Sequence, residues 1–244
     1  MGQNQGRLIV VAHVGTTSTA QSVEPAKHTE AIGEDYVASI PPYYGRHAER
    51  AVVACFRALV AAVDIPVYVY NSPKACDIEI SDNFFRHLAE IGVAGIKDDA
   101  FSYITFAHFI LELSEDFPNF PFIVGTEGIA LPALMAGAKG IVSGLANVFP
   151  ELMVKLWEAY VANDYEAAAR LQMDVVQARK HLHIPSSTNA ACYTVLRARG
   201  IDVGVPKLPI LPVAEDKAEE MLDAFREMGL LWRQLSVESC RLLV

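Results

Sequence analysis

Leu8-Ile9-Val10-Val11-Ala12-His13-Val14-Gly15-Thr16-Thr17-Ser18 is the stretch that decides the fold. Its first five residues are a continuous apolar run closed by Gly15, the pattern of a parallel strand buried on both faces. Ser18 or Thr19 can cap a helix that begins at Ala20 and ends near Gly33. Strand, turn and helix in that order open both a doubly wound dinucleotide-binding sheet and a (β/α) barrel. The doubly wound sheet expects G-x-G-x-x-G after its first strand, and His13-Val14-Gly15-Thr16-Thr17-Ser18 lacks it. The barrel is therefore favoured, and the segment from Gly15 to Thr19 either caps its helix or holds an anion on backbone amides.

The unit repeats along the chain. Tyr36-Val37-Ala38-Ser39-Ile40 stops at Pro41-Pro42, residues that cannot donate to a ladder. The next helix places Val52, Phe56, Leu59 and Val63 on one face. Ile65-Pro66-Val67-Tyr68-Val69-Tyr70 reads as a third strand before a helix over 81–91. Val93-Ala94-Gly95-Ile96-Lys97 is a fourth, followed by a helix that turns Phe106, Phe109, Ile110 and Leu113 inward. Phe120-Pro121-Phe122-Ile123-Val124 leads through Gly125 to a short helix over 131–136, and Gly140-Ile141-Val142-Ser143 to a long helical stretch over 150–181. Only helices are expected beyond, over 187–199 and 216–235, the second with Leu222, Phe225, Met228 and Trp232 in step.

Six such units with no low-complexity linker predict a single α/β domain over 1–244, with an incomplete TIM (β/α)8 barrel to about residue 182 and a C-terminal helical extension over about 183–244. A closed barrel of this kind has eight strands, so two units are expected to be missing.

Composition narrows the function. The 244 residues are 52% hydrophobic with a mean hydropathy of +0.24, enough for a substantial core. A net charge of -9 and a pI near 5.2 oppose the basic footprint of a nucleic-acid binder. Cys55, Cys76, Cys192 and Cys240 are scattered and form no C-x-x-C pair, which speaks against a zinc ribbon or a disulfide framework and fits a reducing cytoplasm. The segment from Met1 to Arg7 is polar, and the most apolar window, 51–70, is interrupted by Arg57, Asp64 and Pro66, so neither a signal peptide nor a membrane span is expected.

Barrel chemistry gathers where strands end. Those positions carry Tyr43 and Tyr44, Tyr70, Lys97, Glu127, and Ser143 with Asn147. A lysine at the end of Val93 to Ile96 would be partly desolvated, its neutral amine available to attack a carbonyl carbon; the ordinary alternative is a lysine paired with Asp98 or Asp99. Tyr70 ends the preceding strand and could relay a proton beside Lys97, or merely bury its ring with the hydroxyl in water. Tyr43 and Tyr44 read equally as packing or interface aromatics. His13 is either a pocket residue or a core histidine. His181-Leu182-His183 has no third ligand at metal spacing, so no metal is expected.

These residues resemble the dihydrodipicolinate synthase and N-acetylneuraminate lyase superfamily of Schiff-base-forming barrels. The resemblance is carried by Ala12-His13-Val14-Gly15 with Ser18-Thr19-Ala20, by Pro41-Pro42-Tyr43-Tyr44, by Val69-Tyr70-Asn71-Ser72-Pro73, by Gly95-Ile96-Lys97-Asp98 and by Ala136-Gly137-Ala138-Lys139-Gly140, in family order across nearly the whole chain. It implies that Lys97 forms a Schiff base with pyruvate or another 2-oxo acid and that Tyr70 shuttles protons. It also implies that Tyr44 is presented across a tight dimer interface, often within a homotetramer. Ser143 then lies near the loop that holds the substrate, and Gly125 and Glu127 match strand-end positions that bind the hydroxylated part of the substrate in sialate lyases.

Departures shape the remaining expectations. The family's Gly-[ST]-Thr-Gly-Glu turn, which binds the oxo-acid carboxylate, is not Gly15-Thr16-Thr17, because Ser18-Thr19-Ala20 and the distance to Pro41-Pro42 place that segment after the family's third strand. An N-terminal truncation is therefore expected. Lys74-Ala75-Cys76-Asp77 lacks the arginine with which dihydrodipicolinate synthases hold a second carboxylate, and Asp99 replaces a small or hydroxyl residue. The preferred expectation is a pyruvate-dependent lyase of a sugar-derived 2-oxo acid, resembling N-acetylneuraminate lyase or a 2-keto-3-deoxy sugar acid aldolase. The alternatives are a synthase-type condensation or a catalytically silent family member. Lys97, Tyr70 and Tyr44 are the expected catalytic residues and Ser143, Gly125, Glu127, Asp99 and Asn147 the expected substrate contacts, with no cofactor beyond the covalent Schiff base.

Overall fold

A computed structural model describes residue 6 and residues 8–185 and 187–231. Contacts group them into two compact units, one up to Val142 and the other from Ser143. In the first, β1 (Val11–His13), β2 (Tyr36–Ser39), β3 (Val67–Asn71), β4 (Gly95–Asp98), β5 (Phe122–Val124) and β6 (Gly140–Ile141) form one sheet. The strands lie in chain order and every neighbouring pair is parallel. A doubly wound sheet reverses its order at a switch point, whereas a barrel runs sequentially. The six strand-helix units of a TIM-type barrel are thus the ones expected from the apolar runs.

The intervening helices are α1 (Thr19–Ala31), α2 (Glu49–Val60), α3 (Pro73–Cys76), α4 (Asp82–Glu90), α5 (Tyr103–Leu113) and α6 (Ala130–Ala136). Ser18, Ser81 and Ser102 cap α1, α4 and α5, their hydroxyls accepting the N–H of Gln21, Phe84 and Thr105. The segment after β1 therefore does the ordinary work of starting a helix. The stripe Val52, Phe56, Leu59 and Val63 is buried as its spacing predicts. Phe106, Phe109 and Leu113 are buried along α5, while Ile110 is only partly covered. Phe85 of α4 meets Phe109, Phe120 and Phe122 edge-on at 5.1, 5.2 and 6.2 Å. Each such pair adds about 0.5–1.5 kcal/mol beyond burial, so this cluster locks α4 and α5 onto the sheet beside β4 and β5.

One expectation fails at the sheet's edge. The run Leu8-Ile9-Val10-Val11-Ala12 is not buried on both faces: β1 begins only at Val11, and Leu8, Ile9 and Val11 are 70%, 72% and 50% exposed. Among the described residues β1 pairs only with β2, and an edge strand has covering neighbours on one side alone.

The second unit is helical: a 3-10 turn, Leu145–Asn147, then α7 (Pro150–Val161), α8 (Tyr165–Leu182), α9 (Thr188–Ala198) and α10 (Glu215–Glu227). The helical stretch over 150–181 consists of two helices. Asn163 adopts φ +59°, which ends α7, and the Asp164 carboxylate accepts the Ala167 N–H at 3.0 Å to start α8. His183 Nδ1 lies 3.3 Å from the Thr188 hydroxyl and His181 packs edge-on near Phe225, so both imidazoles of that pair have structural neighbours. α10 stops at Glu227 before Gly229, at φ +70°, which leaves Met228 at the cap. Trp232, the rest of the expected helix to 235, and Cys240 lie outside the described residues. Among the described residues no helix is long and apolar enough to cross a membrane.

Candidate active site

Side chains alternate along a strand. In β3, Val67, Val69 and Asn71 are buried while Tyr68 and Tyr70 take the other face; in β4, Ile96 and Asp98 are buried and Lys97 takes the face of Tyr70. The parallel register sets Tyr70 beside Lys97 and Asn71 beside Asp98. Two polar pairs, one step apart, therefore occupy opposite faces of the same strand pair.

Around Lys97 three reactive groups converge. Its Nζ stands 3.6 Å from the centre of the Tyr70 ring and 3.5 Å from Oδ2 of Asp99. The Tyr70 hydroxyl donates to that same Oδ2 at 3.0 Å. The Lys97 and Asp99 side chains are 16% and 19% exposed, reachable by a ligand yet largely withdrawn from water. Burial pushes the Lys97 ammonium below the usual lysine range, against the opposing pull of Asp99, Asp98 and Glu127. Burial and the Asp99 carboxylate push the Tyr70 phenol up to about 12, so it holds its proton until one is called for.

Two neighbours complete the arrangement. The His13 ring meets Tyr70 edge-on at 6.0 Å, and its Nε2 accepts the Ile40 N–H at 3.3 Å, which requires a neutral ring with its proton on Nδ1. Burial and the Lys97 charge push its pKa below the ordinary histidine value. At Gly125 a Cβ would stand 2.6 Å from Lys97 Cε and 2.7 Å from the Asp98 carbonyl oxygen, so the absent side chain is what leaves room for the lysine. A partly desolvated amine, a phenol and a carboxylate in mutual contact can add an amine to a carbonyl and move the protons that addition requires.

The opposite face is closed. Asn71 and Asp98 are each 1% exposed, and the Asn71 amide donates to Asp98 Oδ1 at 2.6 Å. Burial raises the Asp98 carboxyl to about 6 despite this bond and one from the Ala100 backbone. Asn71 also borders a cavity of about 730 Å³ with Arg46, His47, Glu49, Ser102 and His108, which does not include Lys97 or Tyr70.

The model of the Dihydrodipicolinate synthetase family matches residues 2–228. The chain belongs to that family. An uncharacterized DapA-like lyase of Halobacterium salinarum is 34% identical over 227 residues, 93% of this chain and 73% of that protein. The crystal structure of dihydrodipicolinate synthase DapA-2 from Bacillus anthracis has a TM-score of 0.84 at 28% identity, covering 91% of this chain and 75% of that one. KD(P)GA from T. tenax has a TM-score of 0.81 at 27% identity, covering 91% and 76%. Membership of the dihydrodipicolinate synthetase family places the chain among carbon-carbon lyases and aldolases built on TIM barrels.

Within this family member the expected site residues divide. Lys97, Tyr70, Asp99 and Gly125 are brought together. Glu127, 5% exposed at the start of the 3-10 turn Glu127–Ile129, is near enough for its charge to act on Lys97. Tyr43 and Tyr44 stand in solvent, 44% and 83% exposed. Ser143 and Asn147 belong to the second unit, where the Ser143 hydroxyl accepts the Ala146 N–H at 3.2 Å and the Asn147 amide donates to the Gly144 carbonyl at 3.1 Å. Asp99 pairs with Lys97, as the ordinary reading of that lysine allows, and bridges it to Tyr70 as well. Its signal was parity: two residues beyond Lys97, it falls on the same face.

Proposed function

We propose that the chain is a class I lyase in which Lys97 forms a Schiff base with pyruvate or a related 2-oxo acid. The observation that carries this reading is the Lys97 amine, held below its usual pKa against the Tyr70 ring at 3.6 Å. The amine adds to C2 of the oxo acid, and loss of water leaves an iminium. That iminium accepts the electron pair of the breaking carbon-carbon bond, so no separate cofactor is invoked. Tyr70 hands protons to and from the reacting oxygen.

The preferred substrate is a sugar-derived 2-oxo acid, cleaved to pyruvate and an aldehyde. Supporting this, Asp99 and Glu127 place negative charge around Lys97, which disfavours a second anionic group and suits hydroxyls that donate hydrogen bonds. Lys74, in the segment after Tyr70, is stacked over Phe101 at 4.0 Å rather than standing in for a carboxylate-binding arginine. Gly125, Glu127 and Asp99 then face the hydroxylated tail. The exposed Tyr44 is read as a group that a homodimer or tetramer buries at its interface. A synthase-type condensation is the second reading, supported by the likeness to DapA-2.

Borohydride reduction in the presence of pyruvate tests the chemistry. A mass increase on the peptide containing Lys97, lost in Lys97→Arg, is the expected result; folded protein without that adduct would refute the proposal. Pyruvate release across a panel of sugar acids separates cleavage from condensation.

A further inference from the structure

We propose that Asp99 is the proton store of the Lys97–Tyr70 pair: its carboxylate takes the proton that Lys97 must lose before attack and returns it, through the Tyr70 hydroxyl, to the oxygen that leaves as water. The inference rests on Lys97 being the Schiff-base residue and adds a catalytic group to it. One atom, Oδ2, is 3.5 Å from the lysine Nζ and 3.0 Å from the phenol oxygen, so a small shift of the lysine head joins nitrogen, carboxylate and phenol in one proton path.

The steps balance. The Lys97 ammonium gives a proton to Asp99 Oδ2, leaving a neutral amine and a neutral carboxyl. The nitrogen lone pair forms the bond to C2 while the carbonyl π pair moves to oxygen, and a proton passes from the new ammonium nitrogen to that oxygen by way of Tyr70. This gives a neutral carbinolamine. Asp99 then releases its stored proton through the Tyr70 hydroxyl to the carbinolamine oxygen. The carbon-oxygen bond breaks, water departs, and the nitrogen lone pair closes the C=N bond. The iminium charge ends beside the restored carboxylate. Protonated lysine and oxo acid have become iminium and water, and no outside acid has been consumed.

Two of the other titratable groups around Lys97 are otherwise engaged. Asp98 lies on the closed face with its Oδ1 taken by Asn71 at 2.6 Å. His13 Nε2 is taken by the Ile40 N–H, and nearby Lys97 disfavours its cation. Glu127 contributes charge to the same environment. Asp99 lies on the lysine's own face because it follows Lys97 by two residues.

The test compares wild type with Asp99→Asn, Asp99→Ser and Asp99→Glu by rapid-quench borohydride trapping with pyruvate, across pH and at increasing acetate concentration, with melting curves to confirm folding. The asparagine and serine variants are expected to form the Lys97 adduct about 10²-fold more slowly, with a rate that now rises with acetic acid because buffer replaces the missing general acid. Asp99→Glu should recover part of the rate with no dependence on buffer. A folded Asp99→Asn or Asp99→Ser chain that traps pyruvate at the wild-type rate, indifferent to acetate, would overturn the proposal and leave the Schiff-base reading intact. Wild type that forms no adduct would overturn both.

Discussion

Two polar pairs one residue apart on β3 and β4 have opposite fates. Tyr70 and Lys97 share a carboxylate on a face that a ligand can reach, whereas Asn71 and Asp98 bond to each other at 1% exposure. The residues are equally polar and the backbone is the same. What differs is which way each side chain leaves the strand, and hence whether its proton can be exchanged with a substrate. On the reachable face the carboxylate is the proposed relay. On the closed face a carboxylate keeps two strand ends in register and pays for its burial with a pKa near 6.

The hardest attempt to break that contrast is Tyr70→Phe. The aromatic face over Lys97 survives, but the hydroxyl that reaches Asp99 is gone. Pyruvate release should fall by about 10²–10⁴-fold, the range for a lost general acid or base. The Lys97 adduct should still form, slowly, under borohydride. Release at the wild-type rate would mean that Tyr70 is only a wall of the site.

Gly125→Ala sharpens the contrast, because its methyl would press on the Lys97 side chain and on the Asp98 backbone at once. It would stand 2.6 Å from Lys97 Cε on one side and 2.7 Å from the Asp98 backbone carbonyl on the other. Displacing the nucleophile by a fraction of an ångström to one ångström should slow trapping by up to about 10²-fold. The collision with backbone should cost about 1–3 kcal/mol in a denaturant titration. An effect on stability without one on trapping would show that the lysine has more freedom than its packing suggests.

Much of this arrangement was legible in the sequence because it depends on local pattern. Apolar runs mark the strands, and Val52, Phe56 and Leu59 mark a helix face. Lys97 and Tyr70 stand where those runs end. What was not legible depends on neighbours. Leu8 and Ile9 look like core, but their burial would need a strand on the far side of β1. Asn163-Asp164 interrupts an otherwise helical stretch through a positive φ that asparagine permits without demanding. For Lys97 a reactive amine and an ion-paired lysine are compatible readings: Asp99 is both the partner of its charge and the acceptor of the Tyr70 hydroxyl.

The smallest expected effect isolates the closed face. A carboxyl raised from 3.8 to about 6 means that the folded chain binds more protons than the unfolded chain between those values. Its contribution is therefore fully present below about pH 4 and is lost as pH rises through about 6, a change on the order of 2–3 kcal/mol. The Asn71 amide oxygen, buried and unpartnered, would gain a donor when Asp98 is protonated, which is consistent with that direction. Asp98→Asn supplies such a donor at every pH. Urea titrations from pH 4 to 7.5 should show the wild type losing stability toward neutral pH relative to the variant, by about 2 kcal/mol. Lys97 trapping should change far less than in Tyr70→Phe. Parallel stability curves for the two chains would mean that Asp98 is already ionised in the folded state, and that the closed face tolerates a charge for which, among the described residues, Asn71 and one backbone N–H are the donors.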